Sequence, residues 1–125
     1  MSTLIELLKT RRSIRKYLPQ AIEPEKIKQI VSAALMSPAS KRSNPWEFIV
    51  VQDAAILAKL ADSRPHGSQL LANAPLGIVV IADTTKSDVW IEDASIAAII
   101  IQLQAHDLGL GSCWVQVYKR DKDES

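Results

Sequence analysis

The sequence predicts an α+β fold, because short β-rich runs lie between longer segments whose apolar residues recur at helical spacing. Three runs carry the strand signal: Trp46 to Val51, Leu76 to Ala82 and Ser112 to Tyr118, each dense in β-branched or aromatic residues. Helical patterns separate them, so the strands are expected in one sheet and joined through helices rather than hairpins. The third observation is the segment Asp88 to Leu108. Its Ile96, Ala97, Ala98, Ile99, Ile100, Ile101 and Leu103 point in nearly every direction around a helix axis. A chain of 125 residues is long enough for one core and not for two, so such a helix is expected in a subunit interface.

Thr3 and Glu6 form a capping-box pair ahead of Leu4, Ile5, Leu7 and Leu8, which predicts a helix to about Arg11. Ser13 to Tyr17 reads as extended chain before the turn at Pro19. Pro24 between two glutamates suits a helix start. Ile27, Ile30, Val31, Ala34 and Leu35 then give one apolar face, which ends at Ser37-Pro38. Pro38 to Asn44 has loop chemistry. Asp53 is expected to cap a helix carrying Ile56, Leu57 and Leu60, and a short helical turn is expected from Ser68 to Asn73. Leu76 to Ala82 is apolar enough to be buried on both faces. Gly109 and Gly111 end the long helix. Residues 1–118 read as one domain, and 119–125 as a charged tail or the start of a further segment.

Hydrophobic residues make up 47% and charged residues 23% of the chain, an ordinary soluble balance. With a net charge of +1, no whole-molecule field draws it to nucleic acid or a membrane surface. The single Cys113 excludes an intrachain disulfide and fits a reducing compartment. The first residues lack a secretory signal pattern, and Ile96 to Ile101 is far too short to span a bilayer. A cytoplasmic location is expected.

Lys9, Arg11, Arg12, Arg15 and Lys16 are five cations within eight residues, interrupted by no acid. Arginine's planar fork suits phosphate, and Ser13 adds a hydroxyl at the same place. A solvated basic face at a helix C-terminus accounts for the same residues. The polar, proline-bracketed loop Ser37 to Pro45 is a second candidate, since binding residues concentrate on such connections. Neither G-x-G-x-x-G nor G-x-x-x-x-G-K-[ST] occurs. His66 and His106 have no cysteine or carboxylate at metal-ligand spacing, so no metal is expected. A non-catalytic binding module, or a cofactor-free structural dimer, gripping a phosphate-bearing or acidic partner through Lys9 to Lys16 stays open. A binding module for nucleic acid would need a second basic stripe with stacking aromatics.

Five segments, in order, resemble the FMN-dependent nitroreductase family: Leu-Leu-Lys-Thr-Arg-Arg-Ser-Ile-Arg-Lys-Tyr from Leu7, Ser-Pro-Ala-Ser-Lys-Arg-Ser-Asn-Pro-Trp from Ser37, Asn-Ala-Pro-Leu-Gly-Ile-Val-Val-Ile-Ala-Asp from Asn73, Trp-Ile-Glu-Asp-Ala-Ser from Trp90 and Leu-Gly-Leu-Gly-Ser-Cys-Trp from Leu108. The resemblance implies a three-layer α/β/α sandwich with a central mixed sheet and a long helical dimer interface. It also implies a homodimeric oxidoreductase that passes hydrides from NAD(P)H through FMN to nitroaromatics, quinones or similar electrophiles, by a ping-pong mechanism. The chemistry would lie in FMN N5, so no side chain is expected to be catalytic in its own right. Arg11, Arg12 and Ser13 would hold the phosphate and ribityl chain, and Arg15 the N1/O2 edge of the ring. Pro38, Ala39 and Ser40 would approach from the other subunit. Gln69 would touch the flavin, and the main chain of Cys113, Trp114, Val115 and Gln116 would line it. The family often has asparagine where Arg42 stands and glutamine where Asn44 stands. It normally continues with a further helix, a strand and late basic residues, so 1–118 corresponds to its N-terminal two-thirds.

Overall fold

The computed structural model describes residues 2–120. Of the tail expected over 119–125, only Lys119 and Arg120 fall among them, and the rest lies outside the described residues. Helix α1 spans Leu4–Thr10 and is closed by the expected box: the Glu6 N–H donates to Thr3 Oγ1 and the Thr3 N–H to Glu6 Oε2, both at 3.3 Å. It stops at Thr10 because Arg11 takes an extended conformation. No residue of α1 is buried, and Leu4, Ile5 and Leu8 lie exposed.

Helix α2 (Pro24–Leu35) buries Ile30 and Ala34 and packs on α4 (Trp90–Asp107). Leu35 was expected on the same apolar face and is exposed instead. At about 100° per residue it stands roughly a quarter-turn from the seam centred on Ile27, Ile30 and Ala34. Strand β1 (Trp46–Val51) falls on the expected residues and pairs antiparallel with β2 (Gly77–Ala82), Trp46 opposite Ala82 and Val51 opposite Gly77. Between them run α3 (Ala54–Ala61) and a 3-10 helix at Gln69–Asn73, so the connection is helical as expected. Asp53 caps α3, its Oδ1 accepting from the Ala55 and Ile56 N–H groups. Leu57 turns inward from α3 against β2, where a Cβ on Gly77 would come within 2.9 Å of Leu57 Cδ2. Helix α4 packs against both strands.

Two expectations need correction. Ser112 to Tyr118 does not join the sheet, which has two antiparallel strands; its one ladder contact is a parallel bridge from Ser112 to Ser13. Local polar bonds hold the rest of the segment: Trp114 Nε1–H donates to Gln116 Oε1 at 2.9 Å, and Gln116 Nε2–H to the Tyr118 carbonyl at 2.8 Å. Strand β2 is not buried on both faces: of its six residues only Gly77 is buried, and Ile81 is exposed. Helix α4 buries small and polar residues, Asp93, Ala97, Gln102 and Ala105, while Ile91 and Ile96 face outward. Among the described residues, no helix is long and apolar enough to cross a membrane.

Candidate functional site

The basic segment leaves α1 as extended chain because Ile14 is tied down on both sides. Its N–H donates to the Ser112 carbonyl at 2.9 Å, and a Cβ on Gly111 would sit 2.9 Å from Ile14 Cβ. This close approach sets Arg11, Arg12 and Ser13 beside the segment that begins Ser112-Cys113. At the other flank, Thr10 Oγ1 lies 2.7 Å from His106 Nε2 in the last turn of α4. The Thr10 hydroxyl donates to the Glu6 carbonyl, so the His106 Nε2–H is the donor in that contact.

Arg15 and Lys16 open onto a groove of ≈ 820 Å³. Its opposite wall is Gln52, just past β1, with Ala72, Asn73 and Pro75 ahead of β2. No acid lines this groove. The only ion pair among the described residues is Lys26 with Glu23, so none of Arg11, Arg12, Arg15 and Lys16 pairs with an acid among them. Antiparallel pairing explains why Gln52 and Asn73 meet here: the residue after β1 and those before β2 share one end of the sheet. Neither amide stands out in the sequence, where the available signals were a polar residue directly after β1 and another four residues before β2.

The other expected residues divide. The Ser13–Ser112 bridge sets Cys113 beside the basic segment and near Tyr17, whereas Trp114 and Gln116 bond locally and none of Cys113 to Gln116 lines the groove. Gln69 is on the 3-10 helix whose far end lines the groove, but its amide folds back on its own loop. It accepts from the Gly67 N–H and donates to the Arg64 and Pro65 carbonyls. Pro38, Ala39 and Ser40 are not brought to the groove. They sit at the opposite end of the sheet, where the Pro45 carbonyl accepts from the Asp83 N–H, and at the start of α4, where the Ser40 N–H donates to Asp93 Oδ1. Asp93 and His106 are thirteen residues apart on α4, about 20 Å along its axis.

Tyr17 lines the groove and its hydroxyl donates to the Ile14 carbonyl. Burial pushes its phenol up to about 12, the Cys113 thiol adds to this, and Arg15 opposes it. Because the folded state holds this proton more tightly than the unfolded one, its contribution to stability is full below pH 10. It is lost as pH rises toward 12. Denaturant melts from pH 9 to 12 should show this loss in the wild type and a smaller one in Tyr17→Phe. Equal losses in both would show that another group is responsible.

The model of the Nitroreductase family matches residues 8–64 and 62–122. A solved FMN-dependent nitroreductase from Clostridium difficile R20291 is 57% identical and superposes with a TM-score of 0.94, over 97% of this chain and 70% of that one. A protein of Archaeoglobus fulgidus with the provisional name NADH dehydrogenase/NAD(P)H nitroreductase is 40% identical over 126 residues, 98% of this chain and 72% of the relative. A Methanothermobacter thermautotrophicus protein of the same provisional name is 40% identical over 118 residues, and the chain spans 61% of its length.

Proposed function

Because the chain belongs to the nitroreductase family, an oxidoreductase family, we propose that it holds FMN at the Arg15 groove and transfers hydride from NAD(P)H to nitroaromatics, quinones or similar small electrophiles by a ping-pong mechanism. The observation that carries this reading is the groove itself, cationic, free of acids and rimmed by amides. Arg15 and Lys16 on the groove, with Arg11 and Arg12 just before them in the chain, fit an anionic phosphate-bearing ligand, and the Gln52 and Asn73 amides fit the alternating carbonyl and N–H edge of a flavin ring. Bound FMN would supply the hydride-accepting centre.

The chain's own residues bind and orient. Arg11, Arg12 and Ser13 take the phosphate end, Arg15 supports the polar edge of the ring, and the Cys113 to Gln116 main chain borders the site beside Ser13. Pro38, Ala39 and Ser40 lie at the opposite end of the sheet from the groove of their own chain, which supports a homodimer in which they serve the partner's. Outward-facing Leu4, Ile5, Leu8, Ile91 and Ile96 supply apolar surface for that contact, at roughly 25 cal/mol per Å² buried. A cytoplasmic location accords with the free thiol of Cys113.

Sedimentation velocity followed at flavin wavelengths tests both halves of the proposal. FMN should travel with a particle of twice the 13.8 kDa chain mass, and anaerobic NAD(P)H should bleach it. Colourless protein in the presence of excess FMN would sink the reading.

A further inference from the structure

Asp93 is the fourth residue of α4 and an acid, a residue type that ordinarily faces solvent, yet it is 3% exposed and forms no ion pair among the described residues. Its two oxygens are both occupied. Oδ1 accepts from the Ser40 N–H at 3.0 Å, and Oδ2 from the Ser87 hydroxyl at 2.7 Å. Ser87 is itself buried, and its oxygen accepts from the Val89 N–H at 3.2 Å, which locks the carboxylate's orientation to the start of the helix.

What this carboxylate holds is a segment whose own backbone bonds are short-range, the Arg42 N–H donating to the Ala39 carbonyl and the Ser43 N–H to the Ser40 carbonyl. Immediately after Ser40, Lys41 and Arg42 take φ of 54° and 56°, and Asn44 follows at 43°. L side chains rarely adopt this region, so these residues relax unless the flanking chain is pinned. Ser37 Oγ, Ser43 Oγ and Trp46 Nε1 are buried with no hydrogen-bond partner, so the segment does not satisfy itself through its own side chains. Ser40 is where it is tied to the helix, across 53 residues of sequence.

We infer that Asp93 is a positioning residue of the site: it holds Ser40, and with it Pro38 and Ala39, in the conformation that reaches the cofactor bound by the partner subunit. This rests on the cofactor reading above, but the hydrogen bond at its centre is testable without any cofactor.

Amide hydrogen exchange and FMN titration on the full chain, in wild type, Asp93→Ala, Asp93→Asn and Ser87→Ala, test it together. In Asp93→Ala the Ser40 amide should exchange at least about tenfold faster, and FMN should bind at least about tenfold more weakly. Amides in the middle of α4 should keep their protection. Asp93→Asn still offers one oxygen to Ser40 while its amide donates to Ser87, so it should restore most of both. If Asp93→Ala does not fold, Ser87→Ala decides: with Oδ2 freed the carboxylate turns, and both effects should appear at smaller size. Unchanged exchange at Ser40 in whichever variant folds would overturn the inference, as would fast exchange with unchanged FMN affinity. A wild type that binds no FMN would remove the cofactor reading instead, and the exchange measurements alone would then decide the clamp.

Discussion

Leu57→Ala should lower the stability of the chain by about 2–5 kcal/mol, the usual loss when a buried leucine is truncated. Leu57 is 2% exposed and is among the largest fully buried side chains, so little of the resulting space can be refilled by neighbours. The more informative experiment pairs this change with Gly77→Ala. A methyl on Gly77 would lie 2.9 Å from Leu57 Cδ2 and 3.5 Å from Leu71 Cδ2, and a leucine enclosed on all sides cannot swing away. Alone, Gly77→Ala should therefore cost about 1–3 kcal/mol by overpacking. In the Leu57→Ala background the same methyl enters the space that Leu57 vacated, and its cost should fall to zero or change sign. Denaturant unfolding of the four proteins measures the coupling. Strictly additive losses would show that Leu57 and Gly77 do not share one contact.

Most of the local structure could be read from the sequence because its signals are local. The Thr3–Glu6 box, Pro24 at a helix start and Asp53 ahead of α3 each act within one turn, and each element begins where those residues place it. The fate of Ser112 to Tyr118 could not be read in this way. Strand propensity describes a surface suited to pairing, and pairing depends on which other segment lies alongside. Only Ser13 does, for a single bridge. The alternation of strand and helix signals also left open which way β2 would run against β1.

The candidate site divides along the same line. Charge made Arg11, Arg12 and Arg15 conspicuous, and the five resembling segments drew attention to Pro38, Ala39 and Ser40. Gln52 and Asn73 become neighbours only through the antiparallel register, and Asp93 acquires its partners from residues 6 and 53 positions away. No short-range pattern encodes such meetings. Gln69 illustrates the converse: an amide in a promising stretch is committed to the loop that carries it.

Arg11 and Arg15 should separate cofactor affinity from cofactor potential. Arg11 is half-buried where α1 ends, a position suited to gripping a phosphate, and neither arginine has an acidic partner among the described residues. Losing a charge-assisted contact of this kind costs about 1.5–3 kcal/mol, so Arg11→Met should weaken FMN binding by roughly 10- to 100-fold. Arg15 lines the groove instead. A cation beside the N1/C2=O edge of a flavin favours the negative charge that two-electron reduction places there. Arg15→Met should therefore leave FMN largely bound and lower its midpoint potential by on the order of 30 mV, which for a two-electron couple corresponds to about 1.4 kcal/mol. Arg15→Lys keeps the charge and should recover most of that shift, whereas a loss of shape alone would not be rescued. The alternative is that Arg15 belongs to a solvated basic face, screened by water and salt. Potentiometry on Arg15→Met with FMN bound decides between them, since an unchanged midpoint potential would mean that this guanidinium does not face the ring.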